Sequence, residues 1–165
     1  MIFVCVGSRE FPFERLIRQL DLLVEQGILN ERVVAQIGET PYIPKHLEWH
    51  RYLDREMFRA YQKEAELIIS HAVTGARIGA LKLGKSVISV PRLQKFGEHI
   101  DDHQTQISGV LAREGYLREV LDIDDLGDVI LESLRNPICK KYDKPSNVRT
   151  IIEDKIDEWI RKGEI

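Results

Sequence analysis

The sequence predicts an α/β fold, a Rossmann-like parallel sheet with helices on both faces, followed by a C-terminal amphipathic helix. Three observations carry this. Short apolar runs, such as Ile2-Phe3-Val4-Cys5-Val6 and Val87-Ile88-Ser89-Val90, end at a glycine or a proline. Segments with apolar residues at helical spacing alternate with these runs. The 165 residues, 43% of them hydrophobic, suit one ordinary domain with one sizeable core.

Residues 2–6 read as a buried first strand. The loop 7–13 follows, then a helix on which Leu16, Ile17, Leu20, Leu23 and Val24 share a face and which Gly27 stops. Residues 33–37 form a second strand, and 38–46, with two prolines and a glycine, a loop. Residues 47–53 are ambiguous and admit a short edge strand. Met57, Phe58, Tyr61 and Ala65 mark the next helix. Leu67-Ile68-Ile69-Ser70 is a strand ending at His71, residues 72–75 a turn with Thr74 as a candidate cap, and 76–83 a helix with Gly84 past its end. After the strand at 87–90, a long polar loop runs from Arg92 to about Asp102. A helix then continues to Glu114, residues 116–121 suggest a last strand, and Asp124 is placed to cap a helix carrying Leu126, Val129, Ile130 and Leu134. These elements define a ligand-binding domain over residues 1–135. Residues 136–165 form a connector and a final helix that Ser146 can cap. Ile152, Ile156, Trp159 and Ile160 make one apolar stripe on that helix, whose default partner is the chain's own sheet and whose sharper reading is a second protein.

Composition narrows the function. A net charge of -3 lacks the basic excess of a nucleic-acid binder. No apolar run approaches the roughly 20 residues needed to span a bilayer, and the start reads as a strand and not a signal peptide. Two cysteines, Cys5 and Cys139, far apart and in no metal spacing, fit a reducing cytoplasm.

In a parallel sheet, ligands bind beyond the carboxyl ends of the strands. Three loops should therefore share one edge: 7–13, 71–75 and 92–104. Gly7-Ser8-Arg9 offers amides and a cation to a phosphate but is not the dinucleotide fingerprint. His71-Ala72-Val73-Thr74-Gly75 opens a helix whose N-terminus favours an anion. The third loop is the densest, with Arg92, Lys95, Glu98, His99, Asp101, Asp102, His103 and Gln104 within thirteen positions. Arg92 and Lys95 are candidate partners for phosphate, and the Gln104 amide suits sugar hydroxyls. Against this stands a metal reading, since His99 and His103 are four apart with Asp101 and Asp102 between them. A solvated surface loop is the plain alternative.

Together these stretches resemble the C-terminal, donor-binding domain of the family 28 glycosyltransferases. The matching segments are Phe3-Val4-Cys5-Val6-Gly7-Ser8, Ile69-Ser70-His71-Ala72-Val73-Thr74-Gly75, Gly79-Ala80-Leu81-Lys82-Leu83-Gly84-Lys85 and Val90-Pro91-Arg92 through Gln104. Within the family the chain is most similar to small stand-alone catalytic subunits, those of two-component bacterial capsular and exopolysaccharide transferases and of the eukaryotic dolichol-pathway N-acetylglucosaminyltransferase. The run Gly97-Glu98-His99-Ile100-Asp101-Asp102-His103-Gln104 is the most specific part and favours the bacterial group. Two departures stand out: Val73 where the family usually has Gly, and Gly79 where many relatives carry a ribose-binding Glu.

The resemblance implies one half of a GT-B fold, a UDP-sugar donor and inverting transfer of a hexose. It also implies a membrane-associated partner subunit that binds a lipid-linked saccharide acceptor, so that the chain is cytoplasmic and peripheral to the membrane. The donor contacts it implies are Gly7, Ser8, Arg9, His71, Val73, Thr74, Gly75, Arg92, Lys95, Glu98, His99, Asp102, His103 and Gln104. No tightly bound cofactor and no metal are expected, with at most a weak magnesium dependence. His71 and Glu98 are the only candidates for a general base, and a base on the partner is the alternative. Two competing functions stay open, an inactive nucleotide-binding module that stabilises a partner and a stand-alone nucleotide hydrolase.

Overall fold

The computed structural model describes residues 1–7, 10–72, 74–145 and 148–162, with the backbone alone for residues 74, 148 and 149. Six parallel strands form one sheet in the order β3-β2-β1-β4-β5-β6. They are β1 (Ile2–Cys5), β2 (Val33–Gln36), β3 (Glu48–His50), β4 (Leu67–His71), β5 (Ser86–Val90) and β6 (Arg118–Glu119). The strand order reverses at β1, so the crevice between the carboxyl ends of β1 and β4 is the topological switch point of the sheet. The predicted α/β architecture holds.

Among the described residues six α-helices cover the sheet or follow it: α1 (Glu14–Glu25), α2 (Arg55–Glu64), α3 (Thr74–Lys82), α4 (His103–Arg113), α5 (Leu126–Arg135) and α6 (Val148–Lys162). Side chains along β1 alternate between two cores, as the strand pleat requires. Ile2, Val4 and Val6 pack with Leu16, Ile17 and Leu20 of α1 and Ile130 of α5. Phe3 and Cys5 pack on the opposite face with Ala80 and Leu81 of α3 and Leu111 of α4. Leu16, Ile17 and Leu20 are fully buried, and each contributes on the order of 2 kcal/mol of apolar burial. Phe3 also meets the α2 rings, edge-on to Phe58 at 5.2 Å and stacked on Tyr61 at 5.7 Å.

Local chemistry sets the helix ends. The Asp54 carboxylate accepts a hydrogen bond from the Met57 amide at 2.8 Å and caps α2. Gly27, with φ +69°, turns the chain out of α1, as its place in the sequence predicts. Asp21, on the buried face of α1, accepts from the Tyr42 hydroxyl at 2.5 Å, the Lys45 amide at 3.0 Å and the His46 amide at 2.7 Å. It thereby fastens the proline-bearing loop before β3. Burial acts to raise its pKa, but these hydrogen bonds prevail and hold the carboxyl below its usual range.

Four expectations are corrected. Residues 47–53 do supply an edge strand, but only over Glu48–His50, and the last strand shrinks to Arg118–Glu119. α3 starts at Thr74, two residues before the predicted 76, so Thr74 lies within the helix and not ahead of it. Asp124 caps nothing, because the Asp122 carboxylate accepts from its amide and starts a 3₁₀ turn over Ile123–Asp125 that leads into α5. The α6 stripe does not pack on the sheet: Ile152, Ile156, Trp159 and Ile160 are 52%, 40%, 39% and 58% exposed, since α1 to α5 already occupy both faces. Among the described residues no helix is long and apolar enough to cross a membrane.

Candidate functional site

A cavity of about 980 Å³ opens at the switch point, at the upper end of the usual size for a small-molecule site. The three predicted loops do meet there. Gly7 and Phe11 come from the loop after β1, His71 and Ala72 from the end of β4, and Arg92, His99, His103 and Gln104 from the segment after β5. Gly75 and Ala76 of the first turns of α3 complete that side, and Arg55, Phe58, Arg59 and Gln62 of α2 form the wall adjoining α3, where Gln62 meets Ala76.

Buried hydrogen bonds tie the loops together. Arg92 is 3% exposed, and its guanidinium donates to the carbonyls of Val6 at 2.6 Å and Phe11 at 2.8 Å. Burial lowers its pKa to about 10, so it stays charged at neutral pH. Arg15 of α1 grips Glu98 with two hydrogen bonds of 2.9 Å and reaches the Pro91 carbonyl at 3.1 Å. Glu98 also accepts from the Leu93 amide at 3.0 Å. Two guanidiniums against one carboxylate leave a net positive charge behind the cavity, suited to an anion.

His71 is 4% exposed. Its Nδ1 lies 3.2 Å from the Cys5 carbonyl. A carbonyl only accepts, so Nδ1 carries the proton and Nε2 keeps its lone pair. Burial, with the Arg92 charge nearby, lowers the His71 pKa to about 4, and the ring is neutral at physiological pH. Gly7 closes against this ring. A Cβ there would lie 2.7 Å from His71 Cε1 and 2.8 Å from Nε2, and its φ of +88° excludes most side chains in any case. At Gly75 a Cβ would meet nothing within 4 Å among the described residues, so the start of α3 is open to a ligand.

Three buried glutamines line the cavity and differ in what they leave free. Gln36 uses both ends, donating to the Gly7 carbonyl at 3.1 Å and accepting from the Leu53 amide at 3.2 Å. Gln104 spends its oxygen on the Arg92 amide at 3.1 Å, which leaves the NH₂ to donate. Gln62 spends its nitrogen on the Ala76 carbonyl at 2.8 Å, which leaves the oxygen to accept.

His99, Asp101 and His103 offer ligand atoms that all lie within 4.8 Å of one another. Their approach needs no helical spacing, because His99 precedes α4 and its ring packs edge-on to His103 at 4.9 Å. The His103 ring and amide both bond Asp101 and hold its carboxyl below the usual range. His99 Nδ1 is buried without a hydrogen bond and stands 3.4 Å from that carboxylate.

Of the candidate residues, Gly7, His71, Gly75, Arg92, His99, His103 and Gln104 line the cavity, whereas Lys95, Glu98 and Asp102 do not. Lys95 is exposed, with its ammonium 4.8 Å from the Phe96 ring centre. Glu98 is clamped by Arg15, and Asp102 accepts from the Gln94 amide at 2.7 Å. Thr74 begins α3, and Ser8, Arg9, Val73 and Ser146 lie outside the described residues. The sequence reading missed the α2 wall and Arg15. An Arg55-Phe58-Arg59-Gln62 stripe at helical spacing looks like an ordinary solvated face until the topology places it over the cavity.

Comparisons with known proteins bear on the family and on the fold. The family model described as the glycosyltransferase family 28 C-terminal domain matches residues 1–158. A relative from Yarrowia lipolytica, the UDP-N-acetylglucosamine transferase subunit ALG13, is 29% identical over 143 residues, 77% of this chain and 68% of its own length. Among solved structures, MurG of Acinetobacter baumannii aligns with a TM-score of 0.61 at 17% identity, over 94% of this chain and 49% of that one. A solution structure of ALG13 aligns with a TM-score of 0.58 at 18% identity, over 88% and 90%. The glycotransferase of kitacinnamycin aligns with a TM-score of 0.58 at 17% identity, over 82% of this chain and 35% of its own. The chain thus spans half or less of the two larger glycosyltransferases and nearly all of the ALG13 structure.

Proposed function

Because the chain belongs to the glycosyltransferase family 28 C-terminal domains, we propose that it is the UDP-sugar-binding catalytic subunit of a two-component inverting glycosyltransferase. Its product is a hexose added to a lipid-linked saccharide in polysaccharide synthesis. The observation that carries this reading is the cavity at the β1/β4 switch point, where the start of α3, the Gln104 NH₂ and the buried Arg92 charge converge on one space. Donors and positive charge of this kind hold a diphosphate and stabilise the negative charge it gains as it leaves. The name of the Yarrowia relative, a UDP-N-acetylglucosamine transferase subunit, supports both the donor and the need for a partner.

Inverting transfer needs a base for the acceptor hydroxyl. Glu98 is engaged by Arg15 and the Leu93 amide away from the cavity, and His71, with its pKa near 4, is a weak base. The reading therefore assigns the base to a membrane-associated acceptor subunit and the exposed apolar stripe of α6 to holding that subunit. The chain itself carries no resident cofactor in this reading and is peripheral to the membrane. Calorimetry with UDP, UDP-glucose, UDP-galactose and UDP-N-acetylglucosamine tests it. Binding of UDP and of at least one UDP-sugar is expected, and no response to any of the four overturns it.

The clustering of His99, Asp101 and His103 favours one second reading, a divalent cation at the cavity rim. Metal analysis of the purified protein decides. Stoichiometric zinc or manganese supports it, and a metal-free protein that binds UDP-sugar unchanged in chelator removes it.

A further inference from the structure

We propose that Gln62 reads a hydroxyl of the nucleotide ribose. This inference rests on the nucleotide-binding reading above. Gln62 lies on α2 (Arg55–Glu64), is 7% exposed and lines the cavity. Its amide orientation follows from chemistry. The Ala76 carbonyl, 2.8 Å away, only accepts, so the group facing it is the NH₂. The carbonyl oxygen Oε1 then has no partner among the described residues. The oxygen is not sealed off from solvent, so it opens on the cavity as a free acceptor. It selects a ligand group that donates, a hydroxyl or an N–H, and rejects phosphate oxygens.

Position decides which donor. The nucleotide reading puts the phosphates at the start of α3, at Gly75, with the Gln104 NH₂ lining the same cavity. Gln62 stands over the next stretch of α3, between its hydrogen bond to Ala76 and Gly79, where a Cβ would lie 3.5 Å from Nε2 and 3.6 Å from Oε1. Ala76 and Gly79 are separated by roughly 4.5 Å of helix rise, the scale of one sugar ring. Gly79 lacks a side chain and keeps that space open. In a nucleoside diphosphate the unit bonded to the phosphates is the ribose, and the base lies farther out. Phe58, one turn before Gln62 on the same wall, supplies an aromatic edge for that base. The cavity therefore sorts the ligand by hydrogen-bond polarity, with a donor from Gln104 at the phosphate end and an acceptor from Gln62 at the ribose.

The test is calorimetry of the full chain with UDP, 2′-deoxy-UDP and 3′-deoxy-UDP, repeated with Gln62→Met. The wild type should prefer UDP over at least one deoxy analogue by about threefold to tenfold, the worth of one neutral hydrogen bond. In Gln62→Met, UDP binding should fall to the level of that analogue while the analogue itself binds as before. Equal affinity of the wild type for all three overturns the proposal, and this arm needs no variant to fold. An equal loss of all three in Gln62→Met, with an unchanged melting temperature, overturns it as well. Failure of the wild type to bind UDP overturns the nucleotide reading itself and is told apart because no analogue binds either.

Discussion

Replacing Arg15 with methionine should show that Glu98 positions the third loop and is not a base. Arg15 bonds both oxygens of Glu98 at 2.9 Å, and the two side chains are 13% and 6% exposed. Removing one partner of a buried ion pair destabilises by 3–5 kcal/mol. Since Arg15 retains some solvent contact, the lower end, about 3 kcal/mol, applies. In a domain of this size each kcal/mol moves the melting temperature by roughly 2–4 °C, so Arg15→Met should melt about 6–12 °C lower. Glu98→Leu should lose a similar amount, because it strands the guanidinium and the Leu93 amide. The double variant removes both charges and should recover about 2 kcal/mol of the summed loss. Thermal and urea unfolding of the four proteins read this directly. Effects that add within about 0.5 kcal/mol mean that the pair is not coupled. A stable Glu98→Gln protein that binds UDP-sugar normally but has lost all transfer activity would return Glu98 to the role of a base.

Three further outcomes follow from the geometry. Gly7→Ala should melt several degrees lower and weaken UDP binding, because the added Cβ meets the His71 ring at 2.7 Å and the backbone is left-handed there; a variant as stable as wild type contradicts that packing. The His71 pKa, lowered to about 4 by burial, lies below its unfolded value near 6.5, so the unfolded chain binds the proton first as pH falls. Stability should drop by up to about 3 kcal/mol between pH 6.5 and 4, a slope that His71→Gln should flatten; an imidazole resonance of His71 that titrates near pH 6.5 by NMR refutes this. Deleting residues 146–165 should leave the melting temperature and UDP binding nearly unchanged, since the α6 stripe is exposed. The same deletion should abolish pull-down of the acceptor subunit, and a truncated chain that still binds that subunit ends the docking role of α6.

The strands, the α1 face and the meeting of the three loops were legible because apolar periodicity and parallel-sheet topology leave little choice. Segment ends were less so. Thr74 suits a cap or a first turn equally, and of Asp122 and Asp124 it is Asp122 that accepts, taking the amide of Asp124 itself. In the third loop the residue types could be read but not their orientation. Arg92, Lys95, Glu98 and Gln104 have similar claims on a ligand as letters. The fold turns the first into a tie for the β1 loop, the second outward, the third into a partner of Arg15, and the fourth into a pure donor. The α2 wall has no sequence signature, because whether Gln62 faces solvent or a cavity depends on where β4 and α3 place the helix.

The most direct test of the proposed site is an NMR titration of the isotope-labelled 165-residue chain with a UDP-sugar. The largest amide shifts are expected at Gly7, His71, Gly75, Arg92 and Gln104, with Gln62 responding on the α2 wall. Shifts confined to the far faces of α1 and α5, with those amides unmoved, would contradict a donor site at the β1/β4 switch point.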